Sequence, residues 1–238
     1  MGLSLFSLQV LAEHALPRLK RTTRVVSLGV PTIAVSRDDH KAELCSLIGR
    51  MGRPLPAKPA SLLTYADLFR ALGFVETRSV DASDYQNPTL VHTLNDPLPA
   101  VEELTIGDAD LLIDPGTLEH VFNLPQAIHT VARLTAVGGV VFHLNPLNWV
   151  DHGYYNLSPT FYHDFYRNNG FGDIETYLRD GDTLTLLPYT PRRTTILPAR
   201  RLSMYTIATK QAESAAHWPI QERFTAAGGA WSSNRGKA

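Results

Sequence analysis

Five residues able to move a proton or hold a ligand lie close together in the second half of this 238-residue chain: Glu119, His120, His143, Asp151 and His152. Imidazole titrates near neutral pH and can take the proton of a hydroxyl as a new bond forms to its oxygen. His152 follows Asp151 in a run that continues Gly153-Tyr154-Tyr155, an aromatic and polar-edged composition suited to a small hydroxylated substrate. The expected proton acceptor is therefore His152, with Asp151 beside it and His120 next in line. His143 falls inside the apolar run VVFHL and reads as a hydrogen-bonded core or edge residue. The same carboxylates and imidazoles suit Mg²⁺, Mn²⁺ or Zn²⁺. No HExxH or other fixed ligand spacing accompanies them, so no metal is expected.

These residues need a scaffold, and the chain alternates β-rich runs with helical stretches, the pattern of an α/β sheet with crossover helices. Strands are expected at 24–30, 75–80, 89–94, 110–114, 140–144, 183–187 and 203–209. Helices are expected at 64–72, 124–134 and 158–169, the last opened by Ser158 as N-cap and Pro159 in the first turn. An amphipathic helix, with Leu5, Leu8, Ala12, Ala15 and Leu19 on one face, occupies residues 1–22 and offers a face for a homodimer contact. The main domain covers 23–210, and 211–238 is an extension whose Gly-, Ser- and Asn-rich end from Gly228 is expected to be partly flexible. Residues 37–60 carry Gly49, Gly52, Pro54, Pro56 and Pro59, which forbid one regular helix; they read as an insertion or lid with a short helix over 41–49. In an open parallel sheet, ligands bind beyond the carboxyl ends of the strands. That rule singles out Gly29, Asp81, Asn95 with Asp96, Asp114 with Gly116, and Asn145. A carboxylate at the end of the second strand could accept hydrogen bonds from both hydroxyls of a ribose.

The motifs from 109 to 171 appear in a familiar order: a strand ending in Asp114, LEHV at 118–121, VGG at 137–139, HGYYNLSP at 152–159 and NGF at 169–171. The stretch resembles the second half of a class I S-adenosylmethionine-dependent methyltransferase domain, of a small-molecule or glycan-associated branch. The resemblance implies an α/β, Rossmann-like fold: a mostly parallel seven-stranded sheet with helices on both faces and an antiparallel final hairpin. It implies S-adenosyl-L-methionine as cofactor and O-methylation of a small metabolite or sugar. Asp81 would match the ribose-binding acid, Asn95 and Asp96 would lie near the adenine, Asp114 and Gly116 would face the methionine moiety, and Gly29 would cradle it. The first half departs from the family pattern. Ser27 stands where an acid is usual, and Pro31 and Ile33 stand where the second and third glycines would fall. Two further readings follow: a methyltransferase-like protein that has lost its cofactor and serves as a binding or scaffold subunit, and a fold redirected to another, metal-assisted reaction.

Composition narrows the partners. Lysine and arginine total 22 against 23 acidic residues, and no basic block is present, which argues against nucleic acid. The single cysteine, Cys45, cannot form an internal disulfide or a Cys-rich zinc site. No run approaches the roughly 20 apolar residues of a membrane span, and Glu13 and His14 interrupt the N-terminal apolar run. A cytoplasmic protein with a small-molecule substrate and no membrane partner is expected. Arg192, Arg193, Arg200 and Arg201 could hold an anionic group of that substrate.

Overall fold

The computed structural model describes residues 2–34, 38–53, 64–100, 107–189, 201–215 and 217–225. In chain order its elements are β1 (Gly2–Ser4), α1 (Leu5–Val10), β2 (Arg24–Leu28), β3 (Thr32–Ala34), α2 (Asp38–Arg50), α3 (Tyr65–Ala71), β4 (Glu76–Asp81), β5 (Leu90–Val91), β6 (Ala109–Asp114), α4 (Leu124–Leu134), β7 (Thr135–Pro146), α5 (Pro159–Asn168), β8 (Phe171–Asp180), β9 (Thr183–Leu186) and β10 (Ser203–Lys210). The main sheet has eight strands in the order β5-β4-β2-β6-β7-β10-β8-β9, and β1 and β3 form a separate parallel pair. From β5 to β7 every pairing is parallel, while β10 runs antiparallel between β7 and β8.

The sheet is buried on both faces, as crossover connections require. Successive strand residues serve opposite layers. Val25, Leu111, Val140 and Ile207 pack with α1, α2 and α3, whereas Val26, Leu112, Val141 and Ala208 pack with α4 and α5. The sheet has one strand more than expected, β8, against which the expected strand β9 folds back through a turn at Gly181, whose φ of +57° suits glycine. The first strand stops at Leu28, two residues early, because Gly29 turns the chain at φ +71°.

Two expectations about the first half change. Over its described part, the 37–60 segment is not a lid: α2 buries Leu44, Leu47 and Ile48 in the core and serves as a crossover helix between β2 and β4. Pro54, Pro56 and Pro59 lie outside the described residues. The N-terminal helix is regular only over α1. It widens to a π-type turn over Leu11–Ala15 and tightens to a 3₁₀ turn over Leu16–Arg18, around Pro17. Its apolar face, with Leu5, Leu8, Leu11 and Ala15, is buried in this chain's own core. Among the described residues no helix is long and apolar enough to cross a membrane.

Candidate active site

The carboxyl ends of β6 and β7 carry a buried polar network. The parallel register sets Asp114, the last residue of β6, beside His143 of β7. His143 and Asn145 are two residues apart and therefore share a face. One turn apart on α5, Tyr162 and Tyr166 point their hydroxyls at that face. His143 Nδ1 lies 2.9 Å from Asp114 Oδ2, and its Nε2 lies 2.5 Å from the Tyr166 hydroxyl. The Asn145 amide donates to Asp114 Oδ2 and Glu119 Oε2, both at 2.9 Å, and its oxygen accepts the Tyr162 hydroxyl at 2.5 Å. The other oxygen of Asp114 accepts the backbone N–H groups of Thr117 and Leu118 at 2.7 and 3.2 Å. Asp114 thus has four donors for its roughly four lone-pair sites. It is fully buried, so it organises the turn after β6 and has nothing left to offer a methionine moiety.

Glu119, in the 3₁₀ turn Leu118–His120, is buried too. Burial first, and then the negative charge of Asp114, push its carboxyl pKa up to about 7. Desolvation and the Asp114 charge likewise raise the phenols of Tyr162 and Tyr166 well above 10, so both remain hydrogen donors.

Oε1 of Glu119 faces the exposed His152. His152 Nε2 lies 3.7 Å from it, and the His120 and His152 rings meet edge to face at 5.1 Å between centroids. Burial and then the neighbouring His152 lower the His120 pKa. The loop holding His152 is pinned to the backbone of Glu119, whose carbonyl accepts the N–H groups of Tyr154 and Tyr155 at 2.8 and 3.3 Å. Gly153 makes that approach feasible, since a Cβ there would sit 2.7 Å from the Glu119 carbonyl oxygen. The Trp149 ring packs 4.8 Å from His152, with the Arg201 guanidinium stacked 3.7 Å above the indole. The Trp149 indole N–H is buried and has no hydrogen-bond partner among the described residues. Asp151, expected beside the proton acceptor, is exposed at φ +56° and has no hydrogen bond among the described residues. Arg192, Arg193 and Arg200 lie outside the described residues.

The candidate cofactor residues are more scattered. Asp81 ends β4 with one oxygen accepting Val30 N–H at 3.2 Å and the other Ser83 N–H at 3.0 Å. Two of its lone-pair sites have no donor among the described residues. Gly29 N–H is bound to the Val80 carbonyl at 2.6 Å, Val30 N–H is bound to Asp81, and Pro31 has no N–H. The turn after β2 therefore has no free backbone donor for a carboxylate. Asn95 clips the start of α4: its side-chain oxygen and its carbonyl accept the backbone and side-chain N–H of Asn123 at 2.8 and 2.9 Å. Asp96 is exposed, and Gly116 takes φ +93° in the turn below Glu119. A cavity of about 600 Å³ opens beside this region, lined by Val30, Pro31, Tyr65, Ser79, Asn87 and Thr89.

No family model and no curated protein matches the chain. Among solved structures it is similar to the CurJ carbon methyltransferase over 88% of this chain and 54% of that one, at 13% identity and a TM-score of 0.49. It is also similar to the CMeT domain of the citrinin polyketide synthase, over 88% and 52% at 13% identity and 0.46. A third is the antibiotic-resistance methyltransferase Kmr, over 81% and 90% at 16% identity and 0.40. The chain spans about half the length of the first two. The strand order is what assigns the architecture: parallel strands run outward on both sides of β2, with β10 reversed near the far edge. The fold is Rossmann-like. Its topological switch lies between β2 and β6, where such sheets bind ligands, and Asp81, Asp114 and Glu119 all sit at that end.

Asp114 and Asn145 stand at expected strand ends, whereas Glu119 lies in the turn after β6 and His143 inside β7. Tyr162 and Tyr166 are fully buried core residues. Two phenols four residues apart on a buried face mark such a network, since a buried Tyr hydroxyl needs a partner.

Proposed function

We propose that this chain is an S-adenosylmethionine-dependent methyltransferase that acts on an oxygen of a small metabolite or sugar. The reading is carried by the Glu119–His152 pair, a buried carboxylate facing an exposed imidazole at the ligand-binding end of a Rossmann-like sheet. With Nε2–H turned toward Glu119, His152 keeps its Nδ1 lone pair free for the acceptor's hydroxyl proton. The imidazolium so formed faces the carboxylate, which stabilises it, while Asn145 holds Glu119 in place through Oε2. Tyr154 and Tyr155 would frame a sugar-sized acceptor, and Arg201 on Trp149 adds positive charge at the rim. The cofactor's sulfonium supplies an electrophilic methyl group when bound. Asp81 fits the ribose, with two lone-pair sites still open.

The methionine end fits less well, because the Gly29–Pro31 turn has no free donor. That observation favours one second reading, a methyltransferase-like protein that has lost its cofactor and acts as a binding or scaffold subunit. Calorimetric titration with S-adenosylmethionine and S-adenosylhomocysteine separates the two. Micromolar binding supports the enzyme. No binding up to millimolar concentration supports the non-catalytic subunit.

A further inference from the structure

We infer that Glu119, His120 and His152 form a binding site for a divalent first-row transition cation such as Zn²⁺. The inference goes beyond the methyl-transfer reading and does not depend on it. One carboxylate oxygen and one nitrogen from each imidazole lie within 4.8 Å of one another. Two ligands each about 2.1 Å from a tetrahedral ion stand about 3.4 Å apart. The separation of 3.7 Å between Glu119 Oε1 and His152 Nε2 is already close to that value. Rotation of the exposed His120 ring can close the rest.

The surroundings are those of a prepared site. Asn145 holds Oε2 of Glu119 and leaves Oε1 facing His152, the kind of support that orients metal ligands. Neither imidazole has a side-chain hydrogen bond among the described residues, so both nitrogens are available. Asp114 and Glu119 place two buried carboxyl groups on one amide, and a divalent cation at Oε1 offsets the negative charge gathered there. Two imidazoles and one carboxylate suit Zn²⁺ and its neighbours rather than Ca²⁺ or Mg²⁺, which prefer oxygen ligands. Three protein ligands also leave a coordination position open for an exogenous oxygen, from water or an acceptor hydroxyl. With a cation in place His152 is a ligand, and the cation promotes proton loss from that oxygen in its stead.

A second cluster, His163, Asp164 and Glu222, has comparable spacing but both of its carboxylates are already engaged, Glu222 by the Arg167 guanidinium at 3.3 Å. Asp164 accepts the Tyr189 hydroxyl at 2.6 Å and the Glu222 N–H at 3.0 Å. It serves as the internal control.

The test is titration of the full, chelator-treated chain with Co²⁺, read by its visible d–d absorption, followed by displacement with Zn²⁺. One equivalent of Co²⁺ should develop the bands and Zn²⁺ should remove them. His120→Ala and His152→Ala should each weaken binding at least about tenfold, and His163→Ala should leave it unchanged. Both replaced rings are exposed, so neither variant disturbs the core. No Co²⁺ bands in the wild-type chain, bands that survive in the His120→Ala/His152→Ala double variant, or bands lost in His163→Ala would each overturn the assignment. Cofactor calorimetry reads a different event, so failure of the metal site and failure of the methyltransferase reading are told apart.

Discussion

Asp114 and Glu119 hang from a single side-chain amide: Asn145 gives one hydrogen to each carboxyl group, both at 2.9 Å. All three side chains are buried, so neither acid can replace that hydrogen bond with water. The same Asn145 accepts the Tyr162 hydroxyl, which makes it the centre of a network joining β6, β7 and α5. Replacing it with the similarly sized leucine leaves three buried polar groups short of a partner, and each costs about 1–3 kcal/mol. Asn145→Leu should therefore lose roughly 3 kcal/mol or more of stability in urea unfolding. An unchanged urea midpoint would show that the network does not hold the fold together.

Glu119 gives the metal-free protein an inverted pH dependence. Its carboxyl pKa is about 7 in the fold, against 4.5 ordinarily. Between those values the folded chain binds a proton that the unfolded chain has released. Stability from this group is therefore lost as pH rises from about 4.5 to 7, by on the order of 2–3 kcal/mol. Glu119→Gln keeps the shape and cannot ionise. Its unfolding free energy should hold steady across that window while the wild type falls, after subtraction of the slope common to both. Parallel curves for the two proteins would rule out a raised Glu119.

The elements whose local pattern is uninterrupted were legible from sequence. Asn123, Pro125 and an apolar face define α4, whose bounds fall at Leu124 and Leu134 as its spacing predicts. Ser158 and Pro159 likewise fix the start of α5. β8 carries no strand signal in the sequence because its period-2 pattern is broken. Asp173 takes φ +49°, and the register against β10 slips there, since Ile207 pairs with Glu175 but Thr209 pairs with Gly172. Such a bulge moves later side chains to the opposite face and hides the alternation. At the site, the strand-end rule points to Asp81, Asp114 and Asn145 but not to the hydrogen bonds they make. Asn95 is a polar residue beyond a strand, yet its hydrogen bonds go to the cap of α4. Sequence spacing carries no information about where such bonds are made.

Gly153 tests whether the position of His152 matters. A methyl group at this residue would meet the Glu119 carbonyl oxygen at 2.7 Å, a distance real side chains essentially never show. Gly153→Ala must push the 151–155 loop away from Glu119, at a cost of about 1–3 kcal/mol. The movement separates His152 from Oε1 without changing any titratable group. Proton acceptance and cation binding should both weaken, and the Co²⁺ affinity of the variant should fall with the Tyr154–Glu119 hydrogen bond. Wild-type Co²⁺ affinity in Gly153→Ala would show that the loop's seat on Glu119 is irrelevant to the site.

Asp81 has two roles that two variants can separate. One is local: its oxygens hold Val30 N–H and Ser83 N–H, tying the turn after β2 to the end of β4. The other is the proposed ribose contact through its remaining lone pairs. Asp81→Asn keeps one oxygen acceptor for the turn but loses the charge and one acceptor, whereas Asp81→Ala loses everything. Hydrogen bonds to a charged acceptor contribute about 1.5–3 kcal/mol, equivalent to a roughly 10- to 100-fold change in affinity. Asp81→Asn should thus weaken S-adenosylhomocysteine binding by that factor with little change in melting temperature, and Asp81→Ala should weaken it further with a modest loss of stability. If calorimetry gives the same affinity for both variants as for the wild type, Asp81 serves only the turn, and the ribose must be held elsewhere.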